Sequence, residues 1–80
     1  MTATIRQQVL APFSAQWPQP TGSEVRALLQ MADLTGGKAA ALVGVNPRTV
    51  RKWVGEEQKI SYSSWALLAE AAGFGEIWKS

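Results

Sequence analysis

The sequence predicts an all-α fold: a compact helix-turn-helix domain of four core helices, preceded by an N-terminal arm or short helix. Three observations predict it. Ala40-x-x-x-Gly44-Val45-Asn46-x-x-x-Val50-x-x-Trp53 has the spacing of two short helices joined by a glycine turn. Val25, Leu28, Leu29 and Ala32 recur at i, i+3, i+4 and i+7, as do Trp65, Leu68, Ala69 and Ala72, giving one apolar stripe per helix. The stretch from Leu34 to Gly55 holds Lys38, Arg48, Arg51 and Lys52 and no Asp or Glu.

Residues 4–11 read as a short helix. Ile5, Val9 and Leu10 fall at helical spacing, and Pro12 stops the pattern. Gln16-Trp17-Pro18-Gln19-Pro20 reads as an extended linker. Residues 1–20 are therefore expected to form an arm attached to the core. Residues 21–80 are expected to form the domain itself, with a C-terminal dimerisation segment.

Thr21-Gly22-Ser23-Glu24 has the form of a capping box and opens the first core helix. Thr35 caps the second, which runs through Val43 with Ala39, Ala40, Leu42 and Val43 inward; Gly36 and Gly37 weaken its first turn. Gly44 stops it, since glycine adopts a left-handed backbone without strain. Asn46 caps the third helix and Pro47 takes its first position. Val45 and Val50 stand where a hydrophobic staple closes. Val50, Trp53 and Val54 face inward; Arg48, Arg51 and Lys52 face outward. After Gly55, Glu56-Glu57-Gln58-Lys59 reads as a solvated loop. Ser61 caps the fourth helix, Ile60 can staple to Trp65, and Leu67 and Ala71 add a second apolar strip. Gly73 ends it. The tail Phe74-Gly75-Glu76-Ile77-Trp78 is too hydrophobic for a free end.

Eighty residues allow one domain with a small core. The net charge is only +2, but it is unevenly placed. Residues 34–55 carry four basic side chains and no acid (+4), and the rest carries four basic against six acidic (−2). Such clustering suits phosphate contact. With no Cys and no His, zinc fingers, disulfides and thiol or imidazole catalysis are excluded. No apolar run approaches the roughly 20 residues of a membrane span. Met1-Thr2-Ala3-Thr4-Ile5-Arg6 lacks the marks of a signal peptide. A soluble, cytoplasmic protein with no cofactor, no small-molecule ligand and no membrane partner is the expectation.

These residues resemble the lambda-repressor-like, or XRE, helix-turn-helix family over about Thr21 to Gly73. Leu34-Thr35, Ala40, Gly44-Val45, Thr49-Val50 and Trp53 fall at the family's recurring positions. Asn46-Pro47-Arg48-Thr49-Val50-Arg51-Lys52-Trp53 is similar to its recognition-helix text. Within it the chain resembles the small anti-CRISPR-associated autorepressors of phages and mobile elements. Its length, its Tyr62-Ser63-Ser64-Trp65 entry to the last helix and its lack of an effector domain fit that subgroup. The resemblance implies a homodimer on double-stranded DNA at a near-palindromic operator, and repression of the protein's own promoter. It departs from the family at Gly36, where a glutamine is frequent.

On this reading Arg48 and Arg51 contact bases, Arg48 foremost because it lies nearer the helix N-terminus. Lys38, Lys52, Thr35, Asn46 and Thr49 contact phosphates. The duller alternative is a solvated charge for the Arg and Lys residues, a cap alone for Thr35 and Asn46, and a methyl packed at the edge of the core for Thr49. Trp53 belongs to the core, Trp65 to the core or a dimer contact, and Trp17 and Trp78 cover an apolar patch or join an interface; base stacking is the weaker reading for all four. Leu67, Ala71, Phe74, Ile77 and Trp78 are the expected dimer interface, with Ile5, Val9, Leu10 and Phe13 as its rival. Glu56-Glu57 and Ser61, Ser63 and Ser64 lack catalytic partners, so no enzyme is expected. Gly36-Gly37-Lys38 lacks the spacing of a phosphate loop. Two other classes remain: an antitoxin-like protein-interaction module and a DNA-bending architectural factor.

Overall fold

Each core helix starts at a side-chain cap, as the local sequence dictates. In the computed structural model, which describes residues 5–79, α1 spans Gly22–Met31, α2 Gly36–Val43, α3 Pro47–Val54 and α4 Tyr62–Ala71. Met1 to Thr4 and Ser80, with the first residue of the expected 4–11 helix, lie outside the described residues. Thr21 Oγ1 accepts from Glu24 N at 3.1 Å, and Glu24 Oε1 accepts from Thr21 N at 2.8 Å, closing the capping box. Thr35, Asn46 and Ser61 accept from Lys38 N, Arg48 N and Ser64 N. Each such cap contributes about 1 kcal/mol. Pro47 occupies the first position of α3, and Gly44 ends α2 at φ 77°.

The apolar faces meet in one cluster. Val25 and Leu28 come from α1, Ala39 and Ala40 from α2, Val50 and Trp53 from α3, and Trp65, Leu68 and Ala69 from α4. The alanines on α2 let α3 and α4 approach closely. Leu42 departs from the expected inward face, for it is 49% exposed. At about 100° per residue, Ala39, Ala40 and Val43 fill one sector, and Leu42 falls about 100° off its centre.

Residues 5–20 correct the expectation of an arm outside the core. Among the described residues of this segment only Gln7–Leu10 is helical, as a 3-10 turn, and Val9 is fully buried in the cluster. The Val9 carbonyl accepts from Trp65 Nε1 at 2.8 Å and from Trp17 Nε1 at 3.1 Å. Tyr62 Oη donates to Ala11 O, and Gln19 Nε2 donates to Ile60 O. Arg6 grips Glu24 through Nη2–Oε1 at 2.7 Å and Nε–Oε2 at 2.9 Å. A buried indole N–H needs an acceptor, and this segment brings one. The proline-containing linker is the path that folds it back, not a spacer that holds it off.

Glu24 is both the capping-box acid and the buried partner of Arg6, at 3% exposure. Burial pushes its carboxyl up. Hydrogen bonds from the Arg6 side chain and backbone and from the Thr21 backbone, with the Arg6 charge, outweigh that and hold it at about 2. Burial also raises the Tyr62 phenol.

Candidate nucleic-acid interface

Helix α3 sorts its side chains by angle. Setting Arg48 at 0° and stepping about 100° per residue, Arg51 falls at about −60° and Lys52 at about 40°. Val50, Trp53 and Val54 fall between about 140° and 240°. Val50 and Trp53 are buried and Val54 is half-buried, while Arg48, Arg51 and Lys52 are exposed. Two guanidinium groups and an ammonium thus project from one side of a helix whose other side is fixed in the core. Among the described residues the ion pairs are Arg6–Glu24 and Glu76–Lys79, so no carboxylate neutralises this face.

The flanking candidates are placed as follows. Lys38 is exposed on the first turn of α2. Asn46 and Thr35 are exposed and spend one side-chain oxygen each on a cap. Thr49 is half-buried at the side of α3, and its N–H donates to Asn46 O. The structure therefore gathers Asn46, Arg48, Arg51 and Lys52 on one helix and its cap, with Thr35 and Lys38 on the start of α2. The segment 5–20 does not cover them; its contacts run to α1, α4 and the α3–α4 turn.

The pose of α3 is set at its C-terminal end. A Cβ on Gly22 would collide with the Val54 carbonyl oxygen, so α1 begins in van der Waals contact with the last turn of α3. The next residues reinforce the junction. Gly22 N donates to Glu56 Oε2 at 2.8 Å, and Glu56 takes a left-handed backbone at φ 59°. The Glu56-Glu57 turn is exposed, as expected of a solvated loop, and the first of these acids also caps α1. Its charge suits the positive end of that helix. Trp53 is in the core as expected, with a buried Nε1 that finds no acceptor among the described residues.

Sequence reasoning missed Arg26. It is exposed on α1 and lines an open groove with Gln30, Gly36 and Arg51. The signal was the polar side of α1, with Arg26 and Gln30 at i and i+4. What the sequence lacks is which element that side adjoins.

The residues expected at a dimer interface are divided by the structure. Ile77 lies in the C-terminal 3-10 turn (Ile77–Lys79) and is buried in the chain's own core. Leu67, Ala71, Phe74 and Trp78 are exposed. Leu67 and Trp78 line one shallow apolar groove with Tyr62, Ser63 and Ala66. On the rival surface Val9 is buried, Ile5 and Leu10 are half-buried, and Phe13 is 66% exposed and stacked edge-on to Tyr62.

Among the described residues no cluster of His, Cys, Asp or Glu could hold a metal ion, and no helix is long and apolar enough to cross a membrane. No protein-family model matches the chain, and no solved structure matches it. Two curated relatives do. A protein named transcriptional repressor protein KorC, from Escherichia coli, is 52% identical, with 96% of this chain and 93% of the relative covered. A second of the same name and organism is 50% identical, with 94% and 91% covered.

Proposed function

The chain belongs to the family of the KorC transcriptional repressors, a family of regulators and not of enzymes, and on that premise we propose that it represses transcription as a sequence-specific, homodimeric DNA-binding protein of the lambda-repressor-like kind. The observation that carries this reading is the division of α3. Arg48, Arg51 and Lys52 project to solvent from a helix whose opposite side is locked by Val50 and Trp53. A helix so presented enters a major groove, where a guanidinium can bond the O6 and N7 edge of guanine in bidentate fashion.

Arg48, in the first turn, is the principal base reader, and Arg51 follows one turn on. Lys38, Lys52, Asn46, Thr35 and Thr49 fix the register through phosphates. Two α3 helices in successive major grooves stand about 34 Å apart on a near-palindromic operator. A protomer measuring 29 × 29 × 23 Å is small enough for a copy to stand beside it at that separation. The target is the protein's own operon, anti-CRISPR or other mobile-element in kind, and occupancy of its promoter excludes polymerase.

A mobility-shift assay on the DNA upstream of the reading frame tests this. The expected result is a shift at protein concentrations at which a scrambled duplex of equal length stays free. Equal affinity for both duplexes would sink the sequence-specific reading.

A further inference from the structure

The exposed groove between α1 and α3 is basic on both walls. Arg26 and Gln30 come from α1 and Arg51 from α3, with Gly36 at the start of α2 and Gly55 at the end of α3. Leu29, Leu34, Val50 and Val54 also line it, and none of its lining residues is acidic. Two acids stand beside it without lining it. Asp33 lines the neighbouring groove with Gln30, Leu34 and Thr35, and Glu57 stands beside Gly55. Arg26 makes no ion pair or side-chain hydrogen bond among the described residues.

The angular order on α3 says what this groove adjoins. Arg51 lies about 60° to one side of Arg48 and Lys52 about 40° to the other. Only Arg51 of these three lines the groove. When Arg48 points at base edges, the groove therefore lies to the side of the bases. A major groove is about 12 Å wide, roughly the diameter of a helix, so what flanks an inserted helix is a sugar–phosphate strand.

We propose that this groove seats one sugar–phosphate strand of the bound duplex, and that Arg26 grips a phosphate there, making α1 a third DNA-contacting element. The proposal rests on the DNA-binding reading of α3. Charge complementarity carries it: no carboxylate lines the groove, Arg26 has no partner among the described residues, and Arg51 adds its charge from the edge nearest the bases. A guanidinium fork matches two phosphate oxygens, and the Gln30 amide one turn on can donate to the same strand. The contact adds affinity and register and carries no sequence information.

The test is the salt dependence of binding by the full chain. Two duplexes serve as probes: one selected from a random pool by the wild-type protein, and a scrambled control. Arg26→Ala is expected to fold, since alanine favours an exposed helical position. It should weaken binding to both duplexes by the same factor and make the slope of log K against log salt shallower by about one. Arg26→Lys should restore the slope while binding less tightly than arginine. An unchanged slope in Arg26→Ala overturns the proposal, and so does a loss confined to the selected duplex, which marks a base contact. If the wild-type protein prefers neither duplex, the sequence-specific reading fails by itself; the slope on scrambled DNA still decides Arg26.

Discussion

The backbone amide of Gly22 donates to a carboxylate oxygen of Glu56 at 2.8 Å, so the turn that ends α3 holds the start of α1. The proposed DNA-reading helix is thereby fixed at the end remote from Arg48. Glu56 keeps this bond in a left-handed conformation that costs a non-glycine residue about 1 kcal/mol. Gly22 has no room for a side chain, because the Val54 carbonyl occupies that space.

Gly22→Ala is therefore expected to destabilise the domain by about 1–3 kcal/mol, the range for forced overpacking. Urea unfolding followed by circular dichroism reads this directly. The same variant should lose specific DNA affinity, because relief of the clash displaces the last turn of α3. A midpoint equal to that of wild type would show that the junction is slack.

Stability should fall with acid through Glu24. Its carboxyl lies at about 2 in the fold against an ordinary value of 4.5. A depressed carboxyl stabilises the fold fully above the unfolded value, and the contribution is lost as pH falls from about 4.5 towards 2. The amount is about 1–3 kcal/mol, reduced by solvent around the half-exposed Arg6. Glu24→Gln should lower stability at neutral pH and flatten this part of the profile. Persistence of the same acid limb in Glu24→Gln would assign it to another group.

On the DNA side, Arg48→Ala and Arg51→Ala should each cost at least about 1–3 kcal/mol of operator binding. Both variants should keep the wild-type circular dichroism spectrum, since both side chains are exposed. Lys38→Ala and Lys52→Ala should weaken all duplexes alike, with a shallower salt slope. An unaltered operator shift in both arginine variants would remove α3 from the interface. An unaltered slope would remove the lysines from the phosphate set.

The elements of the fold that were legible in the sequence are those signalled locally. Thr35, Gly44, Asn46 and Pro47 each act on a backbone group within four residues, so caps and spacing were enough to place α2 and α3. The outward sector of α3 follows from helical angle alone. Contacts between distant residues were not legible. Arg6 meets Glu24 across 18 residues and Trp65 meets the Val9 carbonyl across 56. Two prolines and a short apolar run suggest an arm attached to the core but not part of it, since a linker looks the same in sequence whether it leads away or folds back. The sequence places Ile77 on an interface for a related reason: an apolar tail fits a partner's surface and its own core equally well. Arg26 stayed hidden because the packing of α1 beside α3 is a tertiary fact.

Gly37 offers a gain in stability. It lies in the first turn of α2 with a negative φ, and a Cβ there would meet nothing within 4 Å. Gly37→Ala should stabilise the domain by about 0.5–1 kcal/mol, chiefly by restricting the unfolded chain. Thermal unfolding measures it. A lower melting temperature would mean that the backbone there departs from helical geometry.

The proposed dimer can be tested without cutting the core. Removing residues 74–80 would take out Ile77, which the monomer buries, so truncation confounds folding with assembly. Leu67 is the better handle. It is 42% exposed and shares an apolar groove with Trp78, at 41%. Homodimer interfaces bury apolar side chains at their centres and exclude charge. Leu67→Glu should therefore leave helix content and unfolding of the protomer near wild type while shifting sedimentation from dimer to monomer. Operator affinity should fall with it, because two half-sites bound through one interface act as a single site. A Leu67→Glu protein that still sediments as a dimer would move the interface to the side of the molecule where Phe13 is exposed.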